Sequence, residues 1–180
     1  MSSVDARVAL RAATRGDADA ILAVYLGAAG GESGLAREAD EITRDHVAGF
    51  LDKSLACGIA LVALRRGEDG ETRIVGEIHA YRSPLRVFAH VLGELTIAVH
   101  PEAQGQGVGR ALFTELLRLV RAEWPAIERV ELITRESNAR AIALYESLGF
   151  RREGSLARRI RRADGGLEAD VPMAWLRSSP

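Results

Sequence analysis

The hydrophobic and polar positions along the chain predict alternating strands and helices. Continuous apolar runs indicate buried strands, whereas apolar residues at every third or fourth position indicate helices. The clearest helix contains one apolar line of Val108, Leu112, Leu116 and Val120, and should end before Pro125 because proline disfavours a helical residue before it. The other predicted helices cover 17–26, 38–56 and 138–147, and the predicted strands cover 8–12, 59–64, 73–81, 91–99, 130–134, 150–161 and 167–176.

The order of these elements favours an α/β fold with one mixed sheet and helices on both faces. The strand at 91–99, the long helix and the strand at 130–134 form a unit whose parallel crossover should be right-handed. Most other neighbouring strands are joined by short turns, as in the hairpin that turns at Gly165-Gly166. With 180 residues and no internal repeat or linker, we predict a single domain over 1–180 with about seven strands.

The composition narrows the class of protein. The 24 basic and 25 acidic residues give a formal net charge of −1, so nothing draws the whole chain to nucleic acid or to an anionic membrane. The longest uncharged apolar stretch, 20–31, is too short to span a bilayer, and we expect no signal peptide. The single cysteine, Cys57, excludes an internal disulfide and should be a buried apolar residue. The histidines show no metal-ligand spacing, and we expect a cytoplasmic protein without a bound metal.

A glycine-rich loop joins the strand at 91–99 to the long helix. Gly105, Gly107 and Gly109 alternate, so no Cβ blocks a close approach to the backbone. The first N–H groups of a helix lack intrahelical partners and commonly bind phosphate. A dinucleotide loop would need a third glycine where Arg110 stands, and the chain has no Walker P-loop. The loop therefore predicts a phosphate site of another kind, with an ordinary strand-to-helix turn as the alternative.

Two motifs at a characteristic separation resemble the GCN5-related N-acetyltransferase (GNAT) family. The first is Q-x-x-G-x-G at Gln104, Gly107 and Gly109, and the second is N-x-x-A-x-x-L-Y-x-x-x-G-F from Asn138 to Phe150. The resemblance covers 91 to about 150, and before that only the order of the elements matches. It implies the GNAT fold, with splayed parallel strands four and five, and acetyl-CoA as co-substrate.

The resemblance also implies which residues hold coenzyme A. The splayed strand pairs with the pantetheine arm as an added strand would, and the glycine loop holds the pyrophosphate. A strand N–H near Ile97 would stabilise the oxyanion formed from the thioester. Asn138 contacts the arm, a role compatible with its alternative as a helix N-cap. The expected cofactor-binding residues are Ile97, Ala98, Val99, Gln104, Gly105, Gln106, Gly107, Val108, Gly109, Arg110, Asn138 and Tyr145.

Two residues match catalytic positions of the family. Tyr145 matches the proton donor, and a phenol with a pKa of about 10 can protonate or hydrogen-bond a departing thiolate with a pKa of about 8.5; its alternative is a core tyrosine. Glu94 stands where several members hold a glutamate that takes the proton of the acceptor ammonium; its alternative is a solvated strand end. Glu77 and His79 are weaker candidates.

The resulting hypothesis is an acetyl-CoA-dependent N-acetyltransferase that acts by direct transfer to a primary amine of a small molecule or peptide. The alternative is a non-catalytic acyl-CoA sensor of the same fold. In the subgroup that acetylates the terminal alanine of a ribosomal protein, a glutamate stands where this chain has Ile133, so that substrate is not favoured. Members of the family are often homodimers. An arginine-rich stretch is either an exposed hairpin face or a site for an anionic group: Arg151, Arg152, Arg158, Arg159, Arg161 and Arg162.

Overall fold

The structure, a computed structural model, contains eight strands and four α-helices in the part of the chain that it describes. That part comprises 8–29, 35, 37–67, 69–162 and 164–177. The helices are α1 (Ala18–Ala29), α2 (Arg44–Cys57), α3 (Val108–Glu123) and α4 (Ala139–Ser147). The strands are β1 (Val8–Ala12), β2 (Gly58–Arg66), β3 (Thr72–Tyr81), β4 (Val91–Val99), β5 (Arg129–Arg135), β6 (Arg151–Arg152), β7 (Leu156–Arg161) and β8 (Leu167–Leu176).

All the strands belong to one mixed sheet, in the order β1-β2-β3-β4-β5-β8-β6, with β7 also paired to β8. Strands β1 to β4 are antiparallel neighbours, β4 and β5 are parallel, and β8 is antiparallel to β5, β6 and β7. The predicted mixed α/β fold with a parallel β4–β5 pair is therefore confirmed.

Each face of the sheet carries its own apolar core. On one face, the line of apolar residues on α3 packs with Ile78 and with residues of α4. On the other face, Tyr25 of α1 and Phe50 of α2 pack against Val62 and Ala98 of the sheet. Successive strand residues alternate between the two faces, so Glu77 and His79 face α1 and α2.

The last predicted hairpin differs from the structure. The expected strand at 150–161 is two strands, β6 and β7, which both pair with β8. Between them, Pro172 of β8 accepts a hydrogen bond from the Glu153 N–H (2.9 Å) but has no N–H of its own to donate. The ladder is interrupted there, so the prediction of one continuous strand was wrong.

Two smaller expectations also need correction. The helix predicted over 38–56 begins only at Arg44, because the Thr43 side chain caps it by accepting a hydrogen bond from the His46 N–H (3.1 Å). Cys57 is partly exposed rather than buried, with its Sγ 3.3 Å from the Lys53 carbonyl oxygen. Cys57 is the last residue of α2.

Candidate functional site

The parallel strands β4 and β5 are paired only at their first residues. Val91 lies opposite Arg129 and Leu92 lies opposite Val130. Strand β4 then continues to Val99 with no further pairing to β5. The two strands therefore diverge, and a gap opens in the middle of the sheet.

A β-bulge in β4 coincides with the start of this gap. His79 of β3 lies opposite Thr96, and Tyr81 lies opposite Gly93, so β4 has one more residue than β3 between the two pairs. The extra residue is accommodated at Glu94, which has a φ of 51°. A bulge bends its strand and re-aims a side chain, and here it sends the exposed Glu94 carboxylate into the gap.

The backbone of β4 offers hydrogen-bonding groups to the gap. The His100 N–H donates to Val75 of β3 (2.9 Å). Because backbone groups alternate between the two edges of a strand, those of Val99 and Ile97 face the opposite way, toward the gap. The Val99 carbonyl accepts a hydrogen bond from the Gln104 side chain (3.0 Å), which agrees with this direction.

Ala98 differs from its two neighbours. It lies opposite Glu77 on β3, its side chain is buried, and the same alternation directs its backbone groups toward β3. Of the three strand residues expected to contact the cofactor, the structure therefore directs the backbones of Ile97 and Val99, and not that of Ala98, toward the gap.

The glycine loop begins α3 at the wide end of the gap. Gly105 and Gly107 have φ values of 77° and 81°, in the left-handed region that favours glycine. The Ala111 N–H donates to the Gly107 carbonyl (2.9 Å), which is the first bond of the helix. In the described part of the chain, no backbone carbonyl accepts from the N–H groups of 108–110. These three N–H groups are therefore unpaired, as the first N–H groups of a helix commonly are, and the anion site stays a prediction.

Side-chain hydrogen bonds connect this loop to the rest of the protein. Besides the Gln104 contact, the Gln106 side chain donates to the Glu102 carbonyl (2.7 Å) and accepts from Arg65 (3.2 Å). The Arg110 guanidinium donates to the Ser147 hydroxyl of α4 (2.9 Å). Gln104, Gln106 and Arg110 therefore make contacts within the protein that hold the loop's shape.

Arg140, which sequence reasoning missed, lies beside the loop. A Cβ built on Gly105 would lie 3.6 Å from its Nη2 atom. The position falls within the second motif but is one of its unspecified letters, so the pattern carried no signal for it. It adds an exposed positive charge next to the free N–H groups of the loop.

Helix α4 carries the other two expected site residues. Tyr145 is 8% exposed, and its ring lies 5.0 Å from that of Phe113. Burial raises the pKa of Tyr145 to about 12, so the phenol holds its proton at neutral pH. In the described residues its hydroxyl has no hydrogen-bond partner. Asn138 is the N-cap of α4, and its side chain accepts from the Ala141 N–H (3.3 Å).

A cleft of about 510 Å³ adjoins this gap. Residues of β4, β5, β7 and β8 line it. Glu94 lies on the β4 wall, and Ile133, 48% exposed, lies on the β5 wall. Among the described residues, Glu94 is in no ion pair, whereas the arginines of the opposite wall have carboxylate partners. These pairs are Arg129 with Glu131 (2.6 Å) and Glu153, Arg135 with Glu168 (3.8 Å), and Arg159 with Asp170 (3.5 Å).

The arginine-rich stretch is exposed along β6 and β7, as expected of a solvated hairpin face. Arg152 pairs with Glu146 (2.8 Å) and Arg162 pairs with Asp164 (3.0 Å). Only Arg159 of this stretch lines the cleft.

Glu77 and His79 are brought together, but beneath the cleft rather than in it. Both are buried, at 0% and 4% exposure, under α1 and α2. Within the described ranges, no three His, Cys, Asp or Glu side chains cluster as metal ligands. No helix of the described residues is long and apolar enough to cross a membrane.

Comparison with known proteins gives consistent similarities. A family model described as "Acetyltransferase (GNAT) family" matches residues 34–150. The chain is 44% identical over 87 residues to the ribosomal protein bS18 alanine N-acetyltransferase of Escherichia coli, covering 47% of this chain and 57% of that protein. It is 46% identical over 67 residues to the mycothiol acetyltransferase of Beutenbergia cavernae, covering 37% of this chain and 22% of that protein. The chain thus spans only part of these curated relatives.

Solved structures resemble the chain over nearly its whole length. A ribosomal-protein-alanine N-acetyltransferase of Brucella melitensis has a TM-score of 0.79 at 25% identity, covering 94% of this chain and 99% of that one. A phosphinothricin acetyltransferase of Sinorhizobium meliloti, solved with AcCoA, has a TM-score of 0.78 at 22% identity, covering 94% and 88%. These likenesses show a common fold.

Proposed function

The chain belongs to the acetyltransferase (GNAT) family, and on that premise we propose that it transfers the acetyl group of acetyl-CoA directly to a primary amine. The observation that carries the proposal is the juxtaposition of the unpaired β4 edge with the glycine loop of α3. The loop binds the pyrophosphate of coenzyme A, and the backbone of Ile97 and Val99 pairs with the pantetheine arm. The thioester is thereby directed toward the cleft that holds Glu94.

The two sides of the gap supply the two proton transfers. Glu94 accepts a proton from the acceptor ammonium, and the neutral amine then attacks the thioester carbonyl. The developing oxyanion is stabilised by the N–H near Ile97. When the tetrahedral intermediate collapses, the C–S bond breaks, and Tyr145 donates its proton to the departing thiolate. The nitrogen loses its second proton as the amide forms, and that proton restores the Tyr145 phenol. The net release to solvent is the one proton that Glu94 accepted.

The cleft favours an acceptor whose amine arrives as an ammonium. The Glu94 carboxylate is exposed in a cleft whose arginines are paired with carboxylates, so it is the negative charge available to a cation there. The E. coli relative is named for an alanine of a ribosomal protein, and the B. cavernae relative for mycothiol. In the subgroup that acetylates the ribosomal protein, a glutamate stands where this chain has Ile133, which argues against that substrate. We therefore assign a small amine or a peptide amine as the acceptor.

An acceptor screen tests the proposal. The chain is incubated with acetyl-CoA and a panel of amino acids, polyamines, aminoglycosides and peptides, and the free thiol of coenzyme A is measured. We expect thiol release that depends on one class of amine and nearly disappears in Tyr145→Phe. Coenzyme A at millimolar concentration should also raise the melting temperature.

The outcomes separate the two hypotheses that the sequence left open. A thermal shift without turnover on any amine would favour the non-catalytic acyl-CoA sensor. Absence of both the shift and the turnover would remove both hypotheses.

A further inference from the structure

Three titratable side chains form a hydrogen-bonded cluster in the core beneath the cleft. The Tyr25 hydroxyl of α1 donates to the Glu77 carboxylate (2.8 Å). Nδ1 of His79 lies 3.2 Å from each oxygen of the same carboxylate. This geometry places a proton on Nδ1 and leaves Nε2 of His79 as the basic nitrogen.

Packing alone does not account for this cluster. Glu77 is fully buried, and taking a carboxylate out of water is costly even when it is hydrogen-bonded. Apart from Ser54, the surrounding core is apolar, and the ring of Phe50 stacks on His79 at 3.9 Å. A carboxylate hydrogen-bonded to a histidine ring holds the imidazole in one orientation, as in known catalytic triads.

The cluster is connected to the cleft through β3 and β4. His79 is the cross-strand partner of Thr96, which lines the cleft. Its ring is parallel to that of Tyr81, at 6.2 Å. Burial and, next, the negative charge of Glu94 raise the pKa of Tyr81. The register therefore places His79 opposite Thr96, which is two residues along β4 from Glu94.

We propose that His79, which Glu77 holds in position, receives the proton of the acceptor amine from Glu94. This inference rests on the proposed function. The ammonium nitrogen loses its proton to the Glu94 carboxylate, which passes it to Nε2 of His79 and returns to its charged state. Glu77 stabilises the imidazolium that forms, and the proton returns to solvent after the product leaves.

Few other charges face the pair. Tyr25 is the titratable group on α1, and its buried phenol has a pKa well above the usual value, so it stays neutral. On α2 the groups are His46, whose pKa is lowered by burial and then by Arg37 and His79, and Lys53, whose Nζ lies 5.5 Å from the centre of the Tyr81 ring. On β4, Glu94 is near enough for its negative charge to raise the pKa of Tyr81, after the larger effect of burial. The facing residues of β2 and β4 are uncharged: Ala60, Val62, Thr96 and Ala98.

The pH dependence of kcat/KM tests the pair, with the panel amine that is acetylated fastest. His79→Asn keeps a donor near the Nδ1 position for Glu77 but lacks Nε2. We expect it to lower kcat/KM at pH 7 at least 20-fold and to remove one ionisation from the acid limb. Glu77→Gln withdraws the charge that stabilises the imidazolium, so its acid limb should move to lower pH.

Two controls separate this role from a structural one. Ser54 is buried in the same layer and donates to the Phe50 carbonyl (2.8 Å), so Ser54→Ala removes a buried hydrogen bond without touching the pair. We expect it to lower the melting temperature and to leave the pH profile unchanged. The affinity for coenzyme A should be unchanged in all three variants.

An unaltered pH profile in His79→Asn, with only a lower melting temperature, would overturn the inference and leave the proposed function standing. If the unmodified chain transfers no acetyl group to any amine, the proposed function and this inference fail together.

Discussion

The two sides of the gap between β4 and β5 are built in different ways. The side proposed to bind the cofactor (the cofactor side) comes from two short segments, 97–110 and 138–145, and its groups are backbone amides and one buried phenol. The side proposed to bind the acceptor (the acceptor side) is assembled from elements far apart in the chain, and its groups are charged side chains, many of them in ion pairs. A ligand that is the same throughout a family can be bound by a local motif, whereas a variable acceptor is recognised by dispersed side chains.

The largest effect is expected at the buried phenol of the cofactor side. Tyr145→Phe removes the proton donor but keeps the ring packed against Phe113, so kcat should fall about 1,000-fold while the Kd of coenzyme A changes little. Since the pKa of Tyr145 is about 12, its ionisation should not shape the rate between pH 6 and 10. Steady-state kinetics and calorimetric titration measure the two quantities. Turnover equal to that of the unmodified chain would exclude Tyr145 from the mechanism.

Glu94 tests the acceptor side in the same terms. Glu94→Gln keeps the size of the side chain at the bulge but removes the proton acceptor, so kcat/KM for the amine should fall about 100-fold. The loss should shrink as pH rises, because more of the amine is then already neutral. The Kd of coenzyme A should not change. A loss that is the same at every pH, or a weaker Kd, would mean that Glu94 does not act as a base.

A pair of glycine variants tests the loop. Built Cβ atoms at Gly107 and Gly49 both meet nothing within 4 Å, but only Gly107 has a left-handed φ, of 81°. Gly107→Ala should introduce about 1–2 kcal/mol of backbone strain and weaken coenzyme A binding about 10-fold. Gly49→Ala, inside α2, should stabilise the helix by up to about 1 kcal/mol and leave binding unchanged. Equal affinities in the two variants would contradict a role for the loop's conformation.

The smallest effect is expected at Arg140. Its guanidinium is exposed beside Gly105, and exposed ion pairs contribute less than about 1 kcal/mol. Arg140→Gln should therefore weaken coenzyme A binding about threefold at low salt, and the difference should disappear at high ionic strength. A larger effect that persists in salt would indicate a direct bond to the cofactor.

The sequence alone predicted the features that neighbouring residues form, and it missed those that depend on residues far apart in the chain. The period of the apolar residues identified α3, and the strand predicted at 91–99 matches the bounds of β4. The strand at 150–161 was misjudged because the residue that interrupts it, Pro172, lies on its partner strand rather than within it. Pairing partners are not visible in a single sequence.

At the site, the glycine loop and α4 could be predicted because neighbouring residues form them. The bulge at Glu94 could not, because it depends on the register between β3 and β4. For the same reason, the sequence suggested Glu77 and His79 only weakly: the hydrogen bond to Tyr25 joins residues 52 positions apart. Arg140 approaches Gly105 only through packing of α4 beside the loop.

The most direct test of the central claim is an amide proton–nitrogen NMR titration with acetyl-CoA. The account predicts the largest shifts at the amides of 105–110, which would bind the pyrophosphate, and at those of Ile97 and Val99, which would pair with the pantetheine arm. The amides of the exposed arginines on β6 and β7 should move little. Saturable binding that leaves 105–110, Ile97 and Val99 unshifted would contradict the account.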